Sequence, residues 1–197
     1  MQAKAIEMKC PSCGDRLTFD MKTCPSCDGP VVISSFRSVY SMSAPEINKY
    51  ANAYKQALVD HPHNRNLHIS AAMCYLKLNM YDKALPAFEK AIEGNFDNSE
   101  AYFYAAVCCL KGKKAFLQQR PTIDKIVEYI EAANMIEPKG IYYYFLAYIK
   151  YDYFFRKKYM TAPSYEETLT AAKEAGISDY DIATLFDILH VEKPSGF

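Results

Sequence analysis

From about residue 43 onward, apolar residues recur at spacings of three and four, the period of an amphipathic helix. The first such helix carries Ile47, Tyr50, Ala51, Tyr54, Ala57 and Leu58 on one face. Ser43 and Glu46 predict a capping box at its start, and His61-Pro62-His63-Asn64 ends it, because proline cannot continue the backbone ladder. Before residue 34 the pattern is different. Ile6 and Met8, then Leu17, Phe19 and Met21, alternate with polar residues as short strands do, and turn residues interrupt them. A Ser-rich stretch, SSFRSVYSMSAPE, joins the two regions. The predicted organisation is a small β module at 1–33, a linker at 34–43 and a helical domain at 44–193.

The helical part is self-similar. A shift of 34 residues brings His68, Ala71, Ala72 and Tyr75 onto Tyr102, Ala105, Ala106 and Cys109. The same shift brings Tyr54 and Ala57 onto Phe88 and Ala91. A third register follows an insertion of eight residues and holds Ile126, Ile130, Ala133, Tyr144, Ala147 and Tyr148. A fourth, after five more, holds Tyr165, Leu169, Ala172 and Ile177. Each unit is a pair of helices. A lone pair cannot bury its apolar face, so the units are expected to stack on one another, small residues admitting close approach and aromatic rings filling the space between. The first helix lacks a partner in its own repeat, so the β module or residues 35–42, with Phe36, Val39 and Tyr40, are expected to cover it. A last helix near Asp179–His190, with Ile182, Leu185, Phe186 and Leu189 on one face, is expected to cap the stack.

These positions resemble the tetratricopeptide repeat, a helix-turn-helix unit of 34 residues, over roughly residues 46–177. The most similar copy is His68, Ala71, Ala72, Tyr75, Ala84, Phe88 and Ala91; it departs from the family pattern at His68 and at the Ala-Ala pair. The resemblance implies a mainly α fold: an α-solenoid of about three and a half helix pairs plus a capping helix, preceded by the small β module.

Four of the seven cysteines lie in two CPSC units, Cys10-x2-Cys13 and Cys24-x2-Cys27. Each unit is a tight turn able to aim two thiolates at one ion, and four thiolates suit tetrahedral Zn2+. Gly14 and Gly29 follow the two turns and are expected to supply positive φ. Two such knuckles joined by a β-hairpin resemble a zinc ribbon. A segment this short cannot bury an adequate core, so the metal is expected to be structural, with all four thiols occupied as ligands; iron is the other metal such a site accepts. Cys74, Cys108 and Cys109 fall on helical faces and are expected to pack as small buried residues.

Composition narrows the function. The chain has 23 Lys plus Arg against 23 Asp plus Glu, which argues against wholesale binding to nucleic acid or to an acidic membrane surface. Within residues 1–33 four basic residues face four acidic ones, so nucleic-acid contact by the ribbon is not favoured. No apolar run is long enough to span a bilayer, the N-terminus lacks a signal-peptide core, and the cysteine usage suits a reducing compartment, so a cytoplasmic location is expected. No phosphate loop, nucleophile elbow or HExxH spacing is present, so no enzyme activity is expected.

The expected function is a protein–protein interaction scaffold. The resemblance implies that Ile69, Met73, Phe103, Val107, Tyr142, Phe145 and Ile149 line a concave groove for a helix or peptide. Family positions that clamp a C-terminal carboxylate in chaperone-binding members carry Ile69, Met73, Glu100 and Tyr104 here, so no such clamp is expected. Ile141–Phe155, with nine aromatics in fifteen residues, reads as core or as a self-association patch. Both insertions fall between the first and second helices of successive pairs and are expected along one edge. They carry Lys113, Lys114, Arg120, Arg156, Lys157 and Lys158, a basic rim suited to an acidic partner. The alternatives are a nucleic-acid-associated regulator that uses the ribbon for contact, and an accessory subunit of an enzyme complex.

Overall fold

The structure, a computed structural model, describes residues 7–195 and residue 197. Ile6, expected in the first strand, lies outside the described residues. The chain forms two compact units that divide between Glu93 and Gly94. The cysteine-bearing segment therefore shares a unit with the first helices rather than standing apart at the linker.

In the first unit, β1 (Glu7–Lys9) and β2 (Arg16–Thr18) pair antiparallel with Met8 opposite Leu17. Those two side chains are buried and their strand neighbours are not, as the alternation requires. The alternation does not reach Met21. A turn closed by Met21 N–H donating to Thr18 C=O at 3.1 Å ends the strand and leaves Met21 exposed. The linker holds one helical turn, α1 (Arg37–Tyr40), and buries Phe36 and Val39. Helix α2 (Ala44–Asp60) buries Ile47, Tyr50, Ala51, Tyr54 and Ala57, the face its periodicity marks. Its start differs from expectation. Ser43 makes no side-chain cap, and Pro45, whose φ is already helical, sits in the first turn instead. Helices α3 (Arg65–Lys77) and α4 (Tyr81–Ile92) form a packed hairpin, and α3 also packs on α1 and α2. With neighbours on several sides, α3 is buried almost throughout from Leu67 to Leu76.

The second unit repeats the hairpin. Helix α5 (Ser99–Leu110) packs on α6 (Arg120–Ile136), and α7 (Gly140–Ile149) packs on α8 (Tyr165–Glu174). The 34-residue period is visible in the caps: Asn64 Oδ1 accepts from Leu67 N–H at 2.9 Å, and Asn98 Oδ1 accepts from Ala101 N–H at 3.0 Å. Gly140 lets α7 start against the end of α8. A Cβ there would meet Ala172 O at 2.8 Å and Ile177 N at 2.9 Å. Helix α7 runs on into a π-helical turn at Lys150–Phe154 and a 3-10 turn at Phe155–Lys157. Helix α9 (Asp179–Leu189) packs on α7 and α5, with Phe186 edge-on to Tyr148 at 5.3 Å and to Tyr144 at 6.4 Å.

Candidate metal centre

The two CPSC turns are built alike by the backbone. Cys10 N–H donates to Asp15 C=O at 2.7 Å and Gly14 N–H donates to Cys10 C=O at 2.9 Å. In the second turn Cys24 N–H donates to Gly29 C=O at 2.8 Å and Asp28 N–H donates to Cys24 C=O at 2.9 Å. The strand pair β1–β2 flanks the first turn, and a single Thr23–Pro30 bridge flanks the second. Each turn needs one left-handed residue at the position after its second cysteine. Gly14 fills it at φ 84° in the first turn, and Asp28 fills it at φ 56° in the second. Gly29, expected in that role, does not have positive φ. It is needed for close approach: a Cβ would stand 2.9 Å from Tyr50 Oη, 3.2 Å from Ser12 Oγ and 3.5 Å from Cys27 Sγ.

These turns bring the Sγ atoms of Cys10, Cys13, Cys24 and Cys27 within 4.8 Å of one another. Cys10 Sγ lies 3.6 Å from Cys27 Sγ, and Cys13 Sγ lies 3.6 Å from Cys24 Sγ, far beyond the ~2.05 Å of a disulfide. Cys10 and Cys24 are buried and Cys13 and Cys27 are exposed, so one side of the cluster faces the module's core and the other faces solvent. Crowding spreads their acidity. Burial pushes the Cys10 thiol up, but backbone N–H groups of Cys13 and Ser12 outweigh it and bring the thiol down to about 7. At Cys13 the Asp15 N–H favours the thiolate, yet burial and the neighbouring thiols push it up to about 12. Cys27 is likewise raised: the Gly29 N–H opposes the shift, and burial and the Cys10 thiol drive it. Four sulfurs this close cannot all ionise without a cation among them, so the donor set fits a metal ion.

The module is fixed to the helices of its unit. Ser12 Oγ and Tyr50 Oη are 3.2 Å apart, and Phe19 meets Tyr54 edge-on at 6.2 Å. Tyr54 Oη donates to Val31 C=O at 2.9 Å, with burial holding its phenol well above the ordinary tyrosine range. Ser70 Oγ both accepts from Ile33 N–H at 3.0 Å and donates to Ile33 C=O at 3.1 Å, so the segment 31–33 is pinned to α3. The cysteine module thus covers the apolar face of α2, while α1 packs on α3. Sequence reasoning did not single out Tyr50, Tyr54 or Ser70 as anchors. Ser70 did leave a trace, being a lone hydroxyl inside an apolar helical run.

The expected groove is corrected. Ile69, Met73, Phe103, Val107, Tyr142, Phe145 and Ile149 are all buried, none more than 4% exposed. In the second unit the cause is visible: Phe103 stacks on Tyr142 at 4.7 Å and meets Phe145 edge-on at 5.7 Å, so rings from α5 and α7 consume each other's faces. The positions that reach solvent on α3 and α5 mix polar and aromatic side chains: Asn66 is exposed, and Tyr75, Lys77, Glu100, Tyr102 and Tyr104 are half-buried. Of the aromatic run 141–155, Phe155 alone is open, at 54%.

The two insertions meet within the second unit. The turn at 115–117 packs against the π-helical turn at 150–154. Asp152, fully buried, joins them: its carboxylate accepts from Phe116 N–H at 2.8 Å, from Arg156 Nη1 and from Tyr148 Oη at 3.5 Å. Arg156 and Lys157 lie over the Phe116 ring at 4.5 and 5.0 Å, and Arg120 lies over Phe154 at 5.0 Å while pairing with Asp124 at 2.7 Å. Lys113, Lys114 and Lys158 are exposed. The remaining cysteines are packing residues: Cys74, Cys108 and Cys109 are buried, and burial alone pushes Cys74 up to about 12. His68 is held by Pro62 C=O, 2.8 Å from its Nε2, and belongs to the α2–α3 turn rather than to a metal site.

The sequence matches no protein-family model and no curated protein.

Proposed function

We propose that this chain is a non-enzymatic interaction scaffold, a tetratricopeptide-like stack of helix pairs whose N-terminal module holds a structural Zn2+ at Cys10, Cys13, Cys24 and Cys27. The observation that carries the metal reading is the sulfur geometry. A tetrahedral ion with Zn–S bonds of ~2.3 Å sets its ligands about 3.8 Å apart, and the two cross-turn separations are each 3.6 Å. Four thiolates complete the ion's coordination, which suits folding the module rather than activating a water. The chain's own residues then do the structural work. The thiolates tie the two turns together, and Ser12, Gly29 and Val31 seat them on Tyr50 and Tyr54 of α2.

The scaffold reading is supported by three successive helix hairpins, the first two opening on asparagine caps, an arrangement that offers open helical faces to partners. With the expected groove positions consumed in the core, the outer faces of α3 and α5 offer Asn66, Lys77 and Glu100 beside the half-buried rings of Tyr75, Tyr102 and Tyr104. Two measurements test the reading. Elemental analysis of the purified chain should return one zinc per chain, lost in a Cys13→Ser/Cys27→Ser variant. Proximity cross-linking in cells should place partner residues against α3, and Asn66→Arg should weaken those cross-links without lowering the melting temperature. Catalytic turnover copurifying with the isolated chain would refute the scaffold reading.

A further inference from the structure

The edge formed by the two insertions is more than a row of charges. Residues 111–120 and 150–164 carry eight Lys or Arg and one acid, Asp152; Lys150 is buried, Arg120 pairs with Asp124 and Arg156 with Asp152, and Lys113, Lys114 and Lys158 stand exposed. Large apolar side chains protrude among them: Leu117 is 69% exposed, Tyr159 53% and Met160 99%. Single exposed apolar residues are ordinary on a protein surface, but Leu117 ends a turn that packs on 150–154, and the Tyr159 ring meets Tyr153 of that same segment, with cations between them in sequence. Ring contacts tie the two loops together through the buried Tyr153. Lys157 Nζ lies 3.8 Å above Tyr153, Tyr153 meets Tyr159 at 6.4 Å, and Phe116, next to Leu117, lies beneath Arg156 and Lys157. Asp152 pins the two loops together, so the surface is held in shape and not assembled on contact.

We propose that this edge is a peripheral docking surface for an anionic phospholipid bilayer. The lysines at 113, 114 and 158 would lie at the headgroups, and Leu117, Tyr159 and Met160 would enter the boundary between headgroups and acyl chains. Charge complementarity names an anionic partner. The protruding apolar tips favour a bilayer over a hydrophilic polyanion, because a lipid boundary takes up side chains that nucleic acid would leave in water. An aromatic ring beside cations is the composition found at membrane interfaces. The chain's zero net charge does not oppose this, because screening limits each cation's reach to about 8–10 Å and the local charge decides. The inference is independent of the scaffold reading, and its failure leaves that reading intact.

The test uses the full zinc-loaded chain and phosphatidylcholine vesicles with and without about 30 mol % phosphatidylserine. Sedimentation should carry the chain down only with the anionic vesicles, and high salt should release it. Lys113→Gln/Lys114→Gln/Lys158→Gln should weaken partitioning by roughly fivefold per lysine. Leu117→Ser/Met160→Ser should weaken it further at unchanged charge. The chain contains no tryptophan, so Met160→Trp introduces a single clean reporter. Its emission should shift to the blue on anionic vesicles and be quenched by brominated acyl chains. Lys113, Lys114, Leu117, Lys158 and Met160 are all exposed, and an unchanged melting temperature verifies each variant's fold. No sedimentation with anionic vesicles would overturn the proposal. So would sedimentation of the Met160→Trp variant without any change in its emission, or equal lysine-dependent binding to heparin or to a soluble acidic peptide.

Discussion

Two glycines beside the cysteines do different work, and replacing each by alanine separates the causes. Gly14 sits at φ 84° with open space around its missing Cβ, so Gly14→Ala meets backbone strain of about 1–2 kcal/mol. Gly29 has ordinary φ but Tyr50 Oη at 2.9 Å from where a Cβ would stand. Gly29→Ala is expected to lower stability by about 1–3 kcal/mol through overpacking. The double variant Gly29→Ala/Tyr50→Phe should recover part of that loss, since the clashing oxygen is gone, whereas Gly14→Ala/Tyr50→Phe should show no recovery. Chemical denaturation of the four proteins measures this. Sequence reading found both glycines but gave them one role. A residue's need for positive φ and its need for room look the same in a sequence, because the atom that would clash belongs to a helix 21 residues away.

At the scale of elements, periodicity located the helices well and their neighbours poorly. The face of α2 was readable because one stripe of the helix is apolar and the rest is not. Helix α7 gave no such stripe. Its run of aromatics marks a helix covered on most sides without saying by what, and α8, α6, α9 and α5 turn out to share that task. The approach of α7 to α8 rests on Gly140, whose added Cβ would meet backbone atoms and not a side chain able to move aside. Gly140→Ala is therefore expected to cost about 3 kcal/mol or slightly more, at the upper end of overpacking effects. Hydrogen exchange should show the loss as faster opening of α7 and α8, with α2 and α3 unchanged. Equal acceleration in both units would mean that the contact is not local.

At the scale of the whole molecule, two compact units imply separable responses. Structural zinc in small finger peptides is worth roughly 10–16 kcal/mol, so a chelator is expected to melt the cysteine module and strip α2 of its cover. Amide exchange should accelerate over residues 7–60 and remain unchanged over 99–189. Alkaline pH acts differently. Burial raises the phenols of Tyr54, Tyr104 and Tyr148, and takes Tyr144 to about 12. The unfolded chain releases these protons near pH ~10 while the native chain keeps them, so the unfolded state binds fewer protons above that pH. The stability these neutral phenols lend is complete below pH ~10 and declines as pH rises from there. Denaturation midpoints measured at neutral and alkaline pH should fall accordingly, and phenolate absorbance should rise cooperatively with unfolding.

The four-thiol cluster, the helices and the existence of two basic insertions were legible before folding, because cysteine spacing, apolar period and local charge are properties of neighbouring residues along the chain. Three features emerged with the folded chain: Phe103, Tyr142 and Phe145 face one another, the cysteine module rests on Tyr50 and Tyr54, and the insertions meet across Asp152. The physical reason is common to all three. A period states which side of an element avoids water, but the surface that covers that side, and the place where dispersed charges collect, depend on residues that become neighbours only when the chain has folded.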